Sequence, residues 1–262
     1  MFQIPEGTPV EYNTGWNIIL WELVIISLIL LLPLGYRSAS KSDLENVRKV
    51  ERGKGWFGFL YAWGRLFFIF ALTINDGNSY DLLTMVGYVF SMVGLTMLIF
   101  TYERYKLSKR GVFFSLLGGI ASFITLTGFD IIPGIFLKRN EISFIIAVAS
   151  TVLLLLIANL YFNVAEKFPG QLRQRTIYEF YGLIMVVFGI ILDGEKVITN
   201  PVVPLFFKLV YPPLMAFFGV WLVIISHDGQ PWAYKSLALT ATIVLFALFI
   251  MHLEELGVEF YF

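Results

Sequence analysis

The sequence predicts an all-α polytopic integral membrane protein, a helix bundle with about eight transmembrane spans. Of its 262 residues 58% are hydrophobic and only 15% are charged, whereas about a quarter of the residues in a soluble domain are charged. Eight mostly apolar runs approach the ~20 residues that cross a hydrocarbon core of roughly 30 Å. Charged, Gly/Pro or Asn/Asp segments separate these runs. We therefore expect one transmembrane domain over residues 1–262, without a soluble domain, in a cell membrane.

The predicted spans share an apolar composition and end at polar or turn-forming residues. They cover residues 16–34, 56–74, 82–101, 112–136, 142–162, 176–192, 203–226 and 236–253. The sixth run is the shortest and the fourth is the longest. The number of spans becomes seven if one run enters and leaves the membrane on the same side.

The distribution of Lys and Arg predicts the orientation. Residues 1–15 contain no Lys or Arg, whereas a cleavable signal peptide begins with a basic region, so the first run is expected to be a retained helix with its N-terminus outside. The outside connections then carry only Lys138, Arg139 and Lys196. The inside segments carry Arg37, Lys41, Arg48, Lys49, Arg52, Lys54, Arg104, Lys106, Lys109, Arg110, Lys167, Arg173, Arg175 and Lys235. This asymmetry follows the positive-inside rule.

The longest polar connection, residues 36–55, has two interpretations. Its Ser42-Asp43-Leu44-Glu45 segment matches a helix capping box, and Leu44, Val47 and Val50 follow a near-helical spacing. One interpretation is a short amphipathic helix on the inner membrane surface, with its basic residues near anionic lipid headgroups. The other is a solvated charge cluster that only sets the topology.

Glycines recur at a spacing of seven residues in two of the predicted spans. Gly87 and Gly94 lie in the third run, and Gly182 and Gly189 lie in the sixth. Small residues let helices approach closely in membranes. We expect close helix contacts at these four glycines, and also at Gly118, Gly119 and Ser122 in the fourth run.

Arg65 is the most informative charged residue, because it lies in the middle of the second predicted span. A cation at the bilayer centre costs about 2.5–3.5 kcal/mol on insertion scales. Arg65 should therefore face the bundle interior and a carboxylate, for which Glu22 in the first span is the favoured partner. Such a pair either stabilises packing or takes part in ligand binding.

Two further interrupted spans predict a polar pocket near the outer surface. Asp130 is followed by Pro133 in the fourth run, and Lys208 is followed by Tyr211-Pro212-Pro213 in the seventh. Proline removes a backbone donor and breaks or kinks a helix, and paired interruptions point to a cavity between helices. The predicted ligand-binding residues are Glu22, Arg65, Asp130, Lys208, Tyr211 and His252. Asp193 and Glu195 fall in the same outer layer. In the alternative, Lys208 snorkels, Asp130 caps a broken helix, and only the Arg65 pair is buried.

The composition argues against several kinds of chemistry. Nineteen basic and nineteen acidic side chains balance, which excludes a generally basic nucleic-acid binder. There is no cysteine, and the two histidines, His227 and His252, are predicted to lie on opposite sides of the membrane. We therefore expect no metal site and no cofactor, and no Ser or Thr has a nearby histidine base for hydrolysis. Catalytic activity is not expected, although a lipid-modifying enzyme that uses only carboxylates stays open.

Four short segments carry a family resemblance. They are Ala62-Trp63-Gly64-Arg65-Leu66-Phe67-Phe68, Thr101-Tyr102-Glu103-Arg104-Tyr105, Ile191-Leu192-Asp193-Gly194-Glu195 and Tyr211-Pro212-Pro213. Between residues 56 and 226 the chain resembles multi-pass membrane modules of uncharacterised archaeal proteins, some of which are similar to the seven-helix sensor regions that precede histidine kinases. The resemblance implies an outer-face ligand or stress sensor with a cytoplasmic output. The chain departs from it by lacking the output domain and by an eighth predicted helix.

These observations favour a non-enzymatic receptor-like protein. A small polar or lipidic ligand would bind in the outward-facing pocket, and a partner protein would supply the output domain or form a complex with the chain in the lipid bilayer. Interrupted helices and intramembrane charges are also typical of a secondary transporter or channel. Against transport, the inner halves of the spans carry almost no charge apart from Glu179. A structural subunit of a larger membrane complex is the third possibility.

Overall fold

The structure, a computed structural model, describes residues 15–73, 77–105, 113–127, 148, 170–193 and 208–228. Within these ranges all regular structure is helical, which confirms the predicted all-α class for this part of the chain. The six helices are α1 (Gly15–Ser40), α2 (Glu45–Thr73), α3 (Gly77–Tyr105), α4 (Phe113–Thr127), α5 (Gly170–Leu192) and α6 (Tyr211–Asp228).

The helices follow the apolar runs of the sequence. Helices α1, α3 and α5 each contain a whole predicted span, and α2 contains all of its predicted span except the last residue. Helices α4 and α6 cover the larger part of the fourth and seventh predicted spans. The runs at 142–162 and 236–253 lie outside the described residues, apart from residue 148. Among the described helices two are long and apolar enough to cross a membrane, Asn17–Ser40 and Ser79–Tyr105, and two shorter apolar helices are Phe114–Ile124 and Tyr211–Ser226.

Helix α2 begins earlier than the second predicted span. Its first turn follows Leu44, whose carbonyl accepts the N–H of Arg48 at 3.0 Å. The Ser42 hydroxyl accepts the N–H of Leu44 at 3.3 Å and lies before the helix. The separate surface helix and the Ser42 capping box are therefore wrong in this form, because α2 continues unbroken through residues 45–55 into the apolar run. Once a helix is nucleated, each further residue adds a hydrogen bond at little cost.

Glycine contacts show the relative direction of neighbouring helices. A Cβ atom on Gly64 of α2 would lie 2.9 Å from the Gly87 carbonyl oxygen of α3, whereas Gly53 faces Thr101. Residue numbers rise along α2 as they fall along α3, so these two helices are antiparallel. Gly58 faces Leu28, and α1 and α2 also pack together directly.

Helices α5 and α6 form a second close pair. A Cβ atom on Gly182 would lie 2.5 Å from the Gly219 carbonyl oxygen, and one on Gly189 would lie 2.5 Å from the Pro212 carbonyl oxygen. Together with Gly87 and Gly94, these contacts confirm the close approach predicted from the seven-residue spacing. Gly119 differs, because nothing lies within 4 Å of the position that its Cβ atom would take.

Packing between α1 and α6 joins the two groups of helices. A single cluster of buried apolar side chains extends from α1, α2 and α3 to α5 and α6. Its largest fully buried members include Tyr102, Phe57, Leu28, Leu98, Ile224 and Val186. This core brings the charged side chains of α2 beside those of α5.

Candidate ligand-binding site

Arg65 lies inside the bundle and contacts three side chains. It is 6% exposed, and its guanidinium forms an ion pair with Asp193, which follows the last residue of α5. The guanidinium carbon lies 3.6 Å from the centre of the Trp21 ring and 5.2 Å from that of Phe68. The prediction that Arg65 faces the interior and a carboxylate is confirmed.

The predicted partner Glu22 is wrong. The buried face of α1 presents Asn17, Trp21 and Val24, and successive helical residues differ in direction by about 100°. Glu22 therefore shares the exposed face of α1 with Ile19 and Ile26. The depth of Glu22 along its helix was suitable, but the direction of its side chain excludes the pair.

Lys208 is a second buried cation at the same end of the bundle. It is 7% exposed, and no carboxylate among the described residues pairs with it. The carbonyl of the next residue, Leu209, accepts a hydrogen bond of 2.5 Å from the side-chain amide of Asn17. Asn17 lies one turn before Trp21 on α1, so Lys208 and Arg65 flank the same two turns of α1. Because Lys208 is buried, the alternative in which its side chain snorkels to the membrane surface is wrong.

The chain between Lys208 and α6 contains the predicted helix interruption and leads to Tyr211. Helix α6 begins at Tyr211, and the preceding residue, Val210, is a turn residue. The predicted interruption is therefore present between Lys208 and α6, and Pro212 and Pro213 occupy the first turn of α6, where their missing N–H groups cost nothing. Tyr211 is 41% exposed. Asp130 and His252 lie outside the described residues.

A second charged cluster lies nearer the other end of α2 and was not predicted. The Lys54 ammonium lies 2.9 Å from a carboxylate oxygen of Glu51 and 2.7 Å from one of Glu179 on α5. The Tyr102 hydroxyl of α3 donates to the same Glu179 oxygen. All four residues are buried, with exposed fractions of 9% or less. We call this group the Lys54 cluster.

The Lys54 cluster and the Arg65 pair connect the same two helices. Lys54 and Arg65 are eleven residues apart on α2, which is close to three full turns, and their partners Glu179 and Asp193 occur in the same order on α5. Helices α2 and α5 therefore run in the same direction, with charge pairs about 16 Å apart along α2. Tyr61, 5% exposed, lies one turn before Arg65.

Sequence analysis missed the Lys54 cluster because Lys54 was assigned to the solvated inner segment. The signal was present: Lys54, Gly58, Tyr61 and Arg65 follow a four–three–four spacing, which places them on one face of a helix. A face that contains a buried Arg65 also buries Lys54 if the helix extends that far. Lys54 and Glu51 precede the second predicted span, and Glu179 was the charge already noted in an inner half, so the expectation that the inner halves are otherwise nearly free of charge stays a prediction.

Among the described residues, two buried cations, Arg65 and Lys208, lie at this end of the bundle, and Asp193 is the carboxylate that pairs with Arg65. The Arg65 Nε is buried and has no hydrogen-bond partner among the residues that the structure describes. Buried polar groups in proteins are nearly always satisfied, and buried guanidinium groups suit planar anions such as carboxylates and phosphates. No group of three or more potential metal ligands occurs within the described ranges. No protein-family model, curated protein or solved structure matches the chain.

Proposed function

We propose that this chain is a receptor-like integral membrane protein that binds a small anion, polar or lipidic, at the Arg65 end of the bundle. The observation that carries the proposal is the buried Arg65 guanidinium, whose Nε has no hydrogen-bond partner within the described ranges and which lies beside α1 together with the buried Lys208. Asp193 pairs with Arg65, whereas within the described ranges no carboxylate forms an ion pair with Lys208. An anionic group would supply the missing charge and accept the free N–H.

The membrane setting is part of this proposal. Two described helices are long and apolar enough to cross a bilayer, and the Lys and Arg distribution agrees with an N-terminus outside and about eight spans. On this topology the Arg65 end faces outward and the Lys54 cluster lies in the inner half. The proposal also retains the resemblance to seven-helix sensor modules, with the output supplied by a partner protein.

The proposed mechanism is competition for Arg65. In the empty state Asp193 holds the guanidinium, whereas an arriving anion would replace Asp193 and also contact Lys208. Asp193 is attached to the end of α5, so its release frees this end of α5 from α2. A ligand shifts a conformational equilibrium only by the difference between its affinities for the two states. Here that difference comes from the exchange of Asp193 for the anion.

A secondary transporter is the second candidate, and the Lys54 cluster favours it. Ionisable residues inside a membrane bundle are typical of substrate and ion pathways. With Glu51, Lys54 and Glu179 in the inner half, charged groups occupy both halves of α2 and α5. The distinguishing measurement is flux of the bound anion in proteoliposomes, which a receptor does not support.

The test begins with purification from native membranes in a mild detergent, followed by mass spectrometry of bound small molecules and proteins. We expect wild-type protein to retain a small anion, and Lys208→Gln to lose it. A second variant, Arg65→Gln with Asp193→Asn, removes the cation without leaving an unpaired buried charge. Retention of the same anion by both variants, or no bound anion in the wild type, would refute the proposed site. A stoichiometric partner supports the receptor, whereas flux by the isolated chain supports the transporter.

A further inference from the structure

Six exposed arginines lie at the end of the bundle opposite to Arg65. They are Arg37 at the end of α1, Arg48 and Arg52 at the start of α2, Arg104 at the end of α3, and Arg173 and Arg175 at the start of α5. Within the described ranges none of them forms an ion pair with a carboxylate, whereas the exposed Lys49 binds Glu45 at 2.6 Å. The Lys49 ammonium donates to Glu45 and lowers the pKa of that carboxyl. Among the described residues at this end, much of the exposed positive charge therefore resides on guanidinium groups that form no ion pair, and the charge of Arg48 also lowers the pKa of Glu45.

Two of these arginines form an ordered row with aromatic side chains. Arg48, Arg52 and Trp56 follow one another at four-residue intervals on α2, so their side chains lie one above the next. The Arg52 guanidinium lies 5.4 Å from the centre of the Tyr36 ring. The Trp56 indole N–H donates to the Tyr36 hydroxyl at 3.2 Å. These contacts hold Arg52 against an aromatic platform made by α1 and α2.

The row has the dimensions of a membrane interface. Trp and Tyr prefer the headgroup level, and a headgroup layer is roughly 5–7 Å thick on each side of the hydrocarbon core. Arg52 lies about 6 Å beyond Trp56 along α2, and Arg48 about 12 Å beyond it. The nearby apolar side chain of Leu44 is 67% exposed and that of Val47 is 39% exposed. This mixture of exposed apolar and cationic groups matches the boundary between lipid and water.

We propose that Tyr36, Arg48, Arg52 and Trp56 form a binding site for the phosphate of an anionic phospholipid in the inner leaflet. Charge complementarity identifies the occupant, because within the described ranges neither Arg48 nor Arg52 forms an ion pair with a carboxylate, and guanidinium groups bind phosphate oxygens in a bidentate manner. The aromatic platform places Arg52 at the depth of the phosphate. The inference is independent of the ligand proposed for the Arg65 end.

The test uses the full-length chain in a neutral detergent mixed with equal amounts of phosphatidylcholine and phosphatidylglycerol. Native mass spectrometry then counts the lipids of each class that stay bound. We expect the wild type to retain phosphatidylglycerol preferentially. Each basic side chain near an anionic surface contributes roughly five-fold in affinity, so Arg48→Gln with Arg52→Gln should lower the preference by roughly 25-fold.

The matched control is Lys49→Gln, which removes a positive charge from the same turns of α2. Its ammonium is already engaged by Glu45, so the lipid preference should change by less than about two-fold, the range of exposed charge pairs. An unchanged preference in the double arginine variant would overturn the proposal. An equal loss for Lys49→Gln and the double variant would overturn it as well, since general charge would then suffice. Circular dichroism verifies the helical fold of each variant.

Discussion

Removal of one partner from the Arg65–Asp193 pair is expected to destabilise the bundle strongly. Breaking a buried ion pair costs about 3–5 kcal/mol, because the remaining charge has no counter-charge. In Asp193→Asn, Arg65 keeps its position over the Trp21 ring, and a desolvated cation–π contact contributes about 2 kcal/mol. We therefore expect about 3 kcal/mol for Asp193→Asn. In Arg65→Gln, the Asp193 carboxylate loses its ion-pair partner, and the cost should approach about 5 kcal/mol.

The double variant separates the ion pair from the general effect of each substitution. Arg65→Gln with Asp193→Asn leaves no buried charge at this position, so its cost should be well below the sum of the two single costs. We expect a coupling free energy of about 3 kcal/mol, the upper part of the range for residues in contact. Unfolding of the four proteins in mixed micelles of a mild detergent and dodecyl sulfate, followed by circular dichroism, gives the cycle. Single-variant effects that simply add, within about 0.5 kcal/mol, would refute a stabilising pair.

Two further predictions concern helix contacts and the Lys54 cluster. Gly182→Ala should destabilise the folded protein by about 1–3 kcal/mol, because its Cβ atom would lie 2.5 Å from the Gly219 carbonyl oxygen. Gly119→Ala, which has open space at its Cβ position, should be neutral or stabilising by up to about 1 kcal/mol. Equal thermal stability of the two variants in detergent would contradict this account. Tyr102→Phe removes the hydroxyl that donates to Glu179. Because a buried charged acceptor then lacks this donor, the free energy of unfolding should fall by about 1–3 kcal/mol in the same unfolding assay. A change below about 0.5 kcal/mol would show that the hydrogen bond contributes little.

The charged residues show where sequence reasoning succeeded and where it failed. The cost of a cation in an apolar run was sufficient to predict that Arg65 is buried and paired. The choice between Glu22 and Asp193 required the rotation of α1 and the position of the end of α5, and neither follows from depth alone. Lys54 was misassigned because its exposure depends on how far α2 extends beyond the apolar run. Each error concerns the direction of a side chain or the end of a helix.

The sequence by itself determined the helical class, the apolar runs that the described helices follow, and the close helix contacts at Gly87, Gly94, Gly182 and Gly189. These properties depend on local composition: long apolar runs form helices that bury their backbone polar groups, and regularly spaced glycines leave room for a neighbouring helix. Only the tertiary structure decided which charges meet. The Arg65–Asp193 and Lys54–Glu179 pairs join residues more than a hundred positions apart, and their contact depends on the parallel placement of α2 and α5 and on the rotation of each helix about its axis.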